Sequence, residues 1–225
     1  MSQSLFFQIA MYGALLSELL LLLIATWNYT NIDDIIRPFF FFFYYVLLQE
    51  SFSFVTGWGF SIHTVWWANI YQVTEMIFFT WYFHRWLFGD GKRTWYFILL
   101  SSFMIYWIYS TFFSQNFSEA NAFARTIGCL VVAAYAGANL IQLSKRTDIT
   151  LFRNAQFWIG SGALLYFSFT TLVFGIYQTI ANNNYLLGLY YPVWDVHLIM
   201  NILANLLYSI AFMCRSKTSW FLSRN

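Results

Sequence analysis

Seven long apolar stretches divide the chain, and short, more polar segments separate them. The stretches cover residues 5–27, 38–57, 64–87, 95–113, 121–143, 156–180 and 192–214. A helix that crosses a bilayer needs about 20 mostly apolar residues, and each stretch meets or approaches that length. The apolar residues are continuous and do not alternate with polar ones, which excludes a transmembrane β-barrel. The pattern therefore predicts an all-α polytopic membrane protein, with residues 1–225 forming a single domain of seven transmembrane helices.

The composition agrees with a membrane protein and excludes several other classes. Hydrophobic residues make up 60% of the 225 residues and charged residues only 9%, against about 25% charged residues in an average soluble domain. Twenty charged side chains are too few to cover the surface of a soluble protein of this size. A soluble enzyme and a nucleic-acid-binding protein are therefore excluded, and the lipid bilayer is the first predicted partner.

The positions of the basic residues predict how the helices are oriented. With seven spans, ten of the eleven Lys and Arg residues fall on one side of the membrane. These ten are Arg37, Arg85, Lys92, Arg93, Lys145, Arg146, Arg153, Arg215, Lys217 and Arg224. Because cytoplasmic loops are enriched in Lys and Arg, we expect an outside N-terminus and a cytoplasmic C-terminus. Residues 215–225 are then a basic cytoplasmic tail, which we expect to lie along an anionic membrane surface.

A weak internal repeat relates the first three predicted helices to the last three. Leu47-Leu48-x-x-Ser51-Phe52 is echoed by Leu164-Leu165-x-x-Ser168-Phe169, and Val65-Trp66-x-x-Asn69 by Val193-Trp194-x-x-His197. The fourth helix would then be a linker. Such a three-plus-one-plus-three arrangement is found among small transporters, although chance matches are common in sequence of this kind.

Polar and ionisable residues inside the predicted spans are the candidate functional residues. They recur at helical spacing, which places several of them on shared faces that point into the bundle. The predicted ligand- or proton-responsive pocket, opening to the outer face, contains Glu18, Glu50, Asn69, Gln72, Glu75, Arg125, His197, Asn201 and Asn205. For the amide side chains, simple packing between helices is the favoured interpretation. A charge at the centre of a span costs roughly 2.5–3.5 kcal/mol, so the ionisable residues favour a function.

Arg125 needs an acidic partner in the membrane. Glu50 and Asp195 are expected at a similar depth, and we expect Glu50 to be the partner. Asp195 instead lies in the first turn of the last helix, where it complements the helix dipole. Glu75, near the midplane, is the strongest candidate for the responsive group.

No catalytic residues, metal site or cofactor is predicted. Asp195 and His197 are two residues apart on a helix, so their side chains point in different directions and do not form a pair of metal ligands. Retinal is excluded because the last helix contains no Lys before Lys217. The chain is therefore more compatible with a protein that is not an enzyme.

The last third of the chain resembles the seven-helix membrane sensor modules that precede histidine kinases in bacteria of the Bacteroidota type. Two segments carry the resemblance: Phe157-Trp158-Ile159-x-Ser161-Gly162-x-Leu164-Leu165-Tyr166-Phe167-Ser168 and Trp194-x-x-His197-x-x-x-Asn201-Ile202-x-x-Asn205. It implies a sensory or signalling module in the bacterial inner membrane. No kinase follows Arg215 here, so a membrane or cytoplasmic protein partner is expected to pass on the signal.

Two other functions remain open. The polar residues near the midplane would also suit a small-solute transporter of the three-plus-one-plus-three type, with Glu75 or Glu18 coupling transport to protons. Alternatively, the chain is an accessory subunit of a larger membrane complex, with the aromatic run that begins at Phe39 facing lipid or a neighbouring helix.

Overall fold

The computed structural model describes residues 5–32, 34–56, 65–89, 93–114, 121–146, 150–181 and 190–214. Within these ranges the chain forms seven α-helices and short 3₁₀ and π turns. The helices are α1 (Leu5–Trp27), α2 (Arg37–Phe54), α3 (Val65–Phe88), α4 (Arg93–Tyr109), α5 (Ala122–Ser144), α6 (Ala155–Ala181) and α7 (Tyr190–Met213). A π turn, Ser110–Ser114, continues α4. The predicted all-helical fold is confirmed, and the basic tail 215–225 lies outside the described residues.

Five of these helices are long and apolar enough to cross a membrane: α1, α4 with its π turn, α5, α6 and α7. Their mean hydropathy over 18 residues lies between 1.5 and 2.0. The other two helices, α2 and α3, contain more polar residues, including Glu50 and Glu75. The structure thus supports a helical membrane protein with at least these five candidate spans among the described residues.

Helices that follow one another in the chain run in opposite directions. Contacts at two levels along the helix pairs fix this arrangement. The pairs are Gly13–Ile202 and Ser17–Asn205 for α1 and α7, Phe39–Tyr82 and Phe52–Trp67 for α2 and α3, Asn69–Asn121 and Glu75–Arg125 for α3 and α5, and Gly162–Tyr208 and Thr170–His197 for α6 and α7. The odd-numbered helices are therefore parallel to one another, and α2 and α6 run opposite to them.

The aromatic run in α2 faces the interior of the bundle. Phe39, Phe40, Phe42 and Phe43 are buried, whereas Phe41 is exposed. Their rings interlock with those of α3: the Phe42 and Phe78 rings stack at 4.1 Å, and Phe39 meets Tyr82 edge-on at the same separation. Large rings therefore fill the space between α2 and α3. Most of this aromatic run faces a neighbouring helix of the same chain and not lipid.

Small residues allow closer approach in the other half of the bundle. Gly160 lies against Leu140 of α5, where an added Cβ would be 3.0 Å from the Leu140 side chain, and Gly13 lies against Ile202 of α7. Gly162 packs directly beneath the ring of Tyr208. Around Gly175, by contrast, no atom of the described residues lies within 4 Å of where a Cβ would be.

Basic residues gather at one end of the helices. Arg37 begins α2, Arg85 lies in the last turn of α3, Arg93 begins α4 and Lys145 caps α5. Since the helices alternate in direction, these positions share one end of the bundle. Arg125, in the first turns of α5, lies toward the opposite end.

We expect Gly162→Ala to destabilise the bundle. Its new Cβ would be 2.7 Å from Cε1 of Tyr208, so the buried ring must move, and overpacking of this kind costs about 1–3 kcal/mol. Thermal unfolding in detergent should show a lower midpoint. Gly175→Ala, in the same helix but with open space around it, is the matched control and should leave the midpoint unchanged or raise it. Equal midpoints for the two variants would contradict the proposed contact.

Candidate functional site

A buried ion pair joins α3 to α5. The Glu75 carboxylate accepts a bond from the Arg125 guanidinium through Oε2 and Nη1. Both residues are buried, at 3% and 8% exposure. The sequence predicted Glu50 as the partner of Arg125, and that prediction is wrong. Counting residues from the helix ends placed Glu50 closer in depth to Arg125. However, Glu75 faces α5, and the long Arg125 side chain reaches inward to it.

Two tyrosines complete the polar surroundings of this pair. The Tyr71 hydroxyl donates to Oε1 of Glu75 at 3.1 Å, and Nη2 of Arg125 donates to the Tyr166 hydroxyl at 3.2 Å. The guanidinium also lies 5.8 Å from the centres of the Tyr71 and Phe174 rings. Hydrogen bonds and ring faces thus replace the water that both charged groups lose on burial.

His197 lies next to this pair, on α7. Its Nδ1 is 3.3 Å from the Thr170 hydroxyl of α6, and its ring is 5.6 Å from that of Tyr166. His197 therefore lies beside Tyr166 and Phe174, which also contact Arg125.

Two other predicted acidic residues, Glu18 and Glu50, lie on α1 and α2. Glu18 is only 3% exposed, and Glu50 is half-buried. The predicted ionisable residues of α1, α2, α3, α5 and α7 are called the charged cluster below: Glu18, Glu50, Glu75, Arg125 and His197.

Three predicted amide residues make or line the contacts between helices. Oδ1 of Asn69 accepts a bond from the Asn121 backbone N–H at 3.2 Å, and Nδ2 of Asn205 donates to the Ser17 hydroxyl at 3.0 Å. Asn201 is half-buried on α7. For Asn69 and Asn205 the packing interpretation, which the sequence left open, accounts for the observed bonds.

Asn121 is a structural residue that sequence reasoning missed. It is the N-cap of α5, where its Oδ1 accepts from the Ala124 N–H at 3.1 Å and from the Ser110 hydroxyl at 3.0 Å. Its Nδ2 donates to the Thr111 hydroxyl at 2.8 Å. The π turn after α4 presents these two hydroxyls side by side. The available signal was an Asn immediately before an apolar helical run, a common helix start.

Several buried polar atoms near the charged cluster have no hydrogen-bond partner among the described residues. These atoms are Oε1 of Glu18, Nε2 of Gln72 and the hydroxyl of Tyr208. A buried polar group without a partner costs about 1–3 kcal/mol, and such sites usually hold water or a ligand. Both ring nitrogens of His84 are unpaired in the same sense. His84 is buried at 5% exposure among Phe88, Tyr96 and Tyr135.

The described part of the chain shows no group of three His, Cys, Asp or Glu residues that fits a metal ion. An open groove runs along α4, with Phe97, Ser101 and Ile105 in its wall, and these residues do not belong to the charged cluster. The pocket expected beside Glu50, Arg125 and His197 stays a prediction.

Comparison with known proteins gives no match: no family model, no curated protein and no solved structure resembles this chain closely enough to register.

Breaking the ion pair from either side should be costly. We expect Glu75→Gln or Arg125→Met alone to destabilise the protein by about 3–5 kcal/mol, because each leaves a buried charge without its partner. The double variant should recover a large part of that loss in a double-mutant cycle followed by unfolding in detergent. Strict additivity of the two single costs would contradict the pairing.

The exposed ion pair of the same chain provides the control. Asp34 and Arg37 are 2.8 Å apart, with side chains 83% and 42% exposed. Exposed pairs contribute about 0–1 kcal/mol, so Asp34→Asn should change the unfolding midpoint little.

Removing the side chain of Asn121 should loosen the start of α5. We expect Asn121→Ala to cost about 1–2 kcal/mol, the upper range for a lost N-cap, because it also frees the Ser110 and Thr111 hydroxyls. Hydrogen exchange should become faster at the Ala124 amide in particular. Asn28→Ala is the control, because Asn28 makes only one described side-chain hydrogen bond, to the Ile24 carbonyl. Equal losses of stability in the two variants would contradict the central role of Asn121.

Proposed function

We propose that this chain is an integral membrane sensory module with seven spans, in which the charged cluster is the responsive element and a partner protein receives the signal. The observation that carries the proposal is the buried ion pair of Glu75 and Arg125, whose guanidinium shares the neighbours Tyr166 and Phe174 with His197. Intramembrane ionisable groups are rare because of their cost, and they generally mark functional sites.

The ion pair is the part of the cluster that can convert a local change into helix movement. Arg125 is held by Glu75 of α3 and by Tyr166 of α6. Any new charge near Arg125 changes the balance between these contacts, and α5 then shifts relative to its neighbours. The small residues between α5 and α6 allow such sliding without large rings in the way.

Two features support seven spans with the N-terminus outside. First, α2 and α3 run antiparallel inside the same bundle as the five strongly apolar helices, and Gln49, Asn69, Gln72 and Glu75 on these two helices are buried. Second, the shared end of the bundle that carries Arg37, Arg85, Arg93 and Lys145 is the end that the positive-inside rule assigns to the cytoplasm.

A proton-coupled small-solute transporter is the second candidate. The excess of carboxyl groups over basic groups in the cluster favours it, because carboxyl chains in membranes also serve as proton relays. A sensor changes conformation without net flux, whereas a transporter moves a solute or protons across the membrane.

The test measures conformation and flux in the same vesicles. Spin labels replace the exposed Trp27 and Ser144, which end α1 and α5, in a background with both native cysteines changed to Ser. We expect the distance distribution between the labels to change between acidic and mildly alkaline solution. The Glu75→Gln variant should show one distribution under both conditions, and Asp34→Asn should behave as the parent does.

Flux distinguishes the alternatives. A pH-sensitive dye inside the vesicles should report no protein-dependent proton entry if the protein is a sensor. Proton entry that Glu75→Gln abolishes would replace the sensory proposal with the transporter. An unchanged label distance in the parent protein, together with no flux, would leave the role of accessory subunit.

A further inference from the structure

Helix α4 packs against its neighbours with one face. The buried residues of this helix are Tyr96, Phe103 and Trp107. The Tyr96 ring lies 5.2 Å from that of His84 on α3, and Cε2 of Phe103 lies 3.3 Å from where a Cβ of Gly128 on α5 would be. Since the three buried positions follow one another at intervals of seven and four residues, they share one face of the helix. This face fixes α4 to α3 and α5.

The opposite face of α4 carries an open groove, which we call the α4 groove. Its volume is about 580 Å³. Ile98 lies two residues after the buried Tyr96, about 200° around the helix, and Ser101 and Ile105 follow at helical spacing on the same side. The groove is lined by exposed residues that include Arg93, Phe97, Ile98, Ser101, Ser102 and Ile105. It therefore opens away from the bundle.

Small side chains shape the middle of the α4 groove. Along the helix, Ser101 and Ser102 lie between the larger Phe97 and Ile98 before them and Ile105 after them. The Ser102 hydroxyl donates to the Ile98 carbonyl at 2.8 Å. Because this hydroxyl is satisfied within its own helix, it does not need water. A hydrocarbon chain can therefore cover this part of the groove without leaving that hydroxyl unpaired.

A positive charge stands at one end of the α4 groove. Arg93 begins α4 and belongs to the basic end of the bundle, together with Arg37, Arg85 and Lys145. Trp95, close to Arg93, is 69% exposed, and exposed tryptophans are typical of the headgroup level of a membrane. In a bilayer, Arg93 thus lies near the lipid phosphates, and the rest of the groove runs into the hydrocarbon.

The length of the α4 groove corresponds to one leaflet of a bilayer. Arg93 and Ile105 are twelve residues apart, or roughly 18 Å at the rise of an α-helix. One leaflet contributes about 15 Å to the hydrocarbon core. Beyond the groove, α4 continues with large exposed side chains such as Ile108 and Tyr109. The occupant that fits is therefore anionic at one end, apolar along its length and one leaflet long.

We propose that the α4 groove binds one anionic phospholipid, with its phosphate at Arg93 and an acyl chain along Phe97, Ser101 and Ile105. Charge complementarity selects this occupant, because a guanidinium binds phosphate oxygens through two parallel hydrogen bonds. The inference goes beyond the sensory function and does not depend on it. It requires that the bundle lie in a bilayer with its basic end at a headgroup layer.

A second copy of the chain fits the α4 groove less well. Two copies in one membrane have the same orientation, so a symmetric contact through α4 would place both Arg93 side chains at the same level, where their charges repel. A transmembrane helix of another protein would need a contact along the whole hydrocarbon core of about 30 Å, of which the groove covers little more than half.

Native mass spectrometry of the intact protein tests the headgroup contact. The protein is released from micelles that contain equal amounts of phosphatidylglycerol and phosphatidylcholine with identical acyl chains. We expect phosphatidylglycerol to dominate among the first lipids bound, and Arg93→Gln to lower the ratio of the two bound lipids about fivefold, the factor expected for one Arg at an anionic surface. Arg85→Gln is the matched control, because it removes an exposed cation from the same end of the bundle but outside the groove. Its ratio should stay near that of the parent.

Filling the α4 groove tests the contact with the acyl chain. Ser101→Trp places a large side chain in the middle of the groove and should lower the bound fraction of both lipids. Ile108→Trp changes an exposed residue of the same helix outside the groove and should leave the bound fraction unchanged.

The same spectra distinguish the other occupants. Equal lipid ratios for Arg93→Gln and Arg85→Gln would overturn the lipid site, as would equal bound fractions for Ser101→Trp and Ile108→Trp. A dimer of the parent protein that Ser101→Trp separates into monomers would assign the groove to a second copy of the chain and overturn the lipid site as well.

Discussion

The arrangement of this bundle depends on where one guanidinium can be placed. Arg125 remains charged inside the apolar interior, so it requires an anion, further hydrogen-bond acceptors and polarisable ring faces within reach. Glu75, the Tyr166 hydroxyl and the rings of Tyr71 and Phe174 provide them. Helices α3, α5 and α6 are thereby fixed at one level, and a sliding movement of any of them disturbs a contact of Arg125.

The two halves of the bundle are packed in different ways, and the charged cluster lies where they meet. Between α5, α6, α7 and α1, residues such as Gly13, Gly160 and Gly162 bring side chains of the next helix close to the backbone. Between α2 and α3, stacked rings such as Phe42 and Phe78 fill the space. The first kind of contact permits small shifts, whereas interlocked rings resist them. A change in the cluster is therefore expected to move α5 more readily than α2 or α3.

The sequence predicted the helices well, because continuous apolar runs of this length have few alternatives in a chain with so few charges. The polar residues identified from the sequence include Glu75 and Arg125, which are buried, and their role in a pocket stays a prediction. It failed on which acid pairs with Arg125, since helical counting gives depth along the membrane but not the rotation of one helix relative to another.

Charge balance constrains the chemistry of this interior more than its shape does. The pair of Glu75 and Arg125 is neutral as a whole, whereas Glu18 and Glu50 on the neighbouring helices α1 and α2 have no ion pair among the described residues. Glu18 is buried at 3% exposure, so a negative charge on it would need a compensating donor among apolar side chains. Arg125 already binds Glu75 and Tyr166. The guanidinium can therefore compensate a further negative charge only by giving up one of these contacts, and both contacts hold neighbouring helices in place.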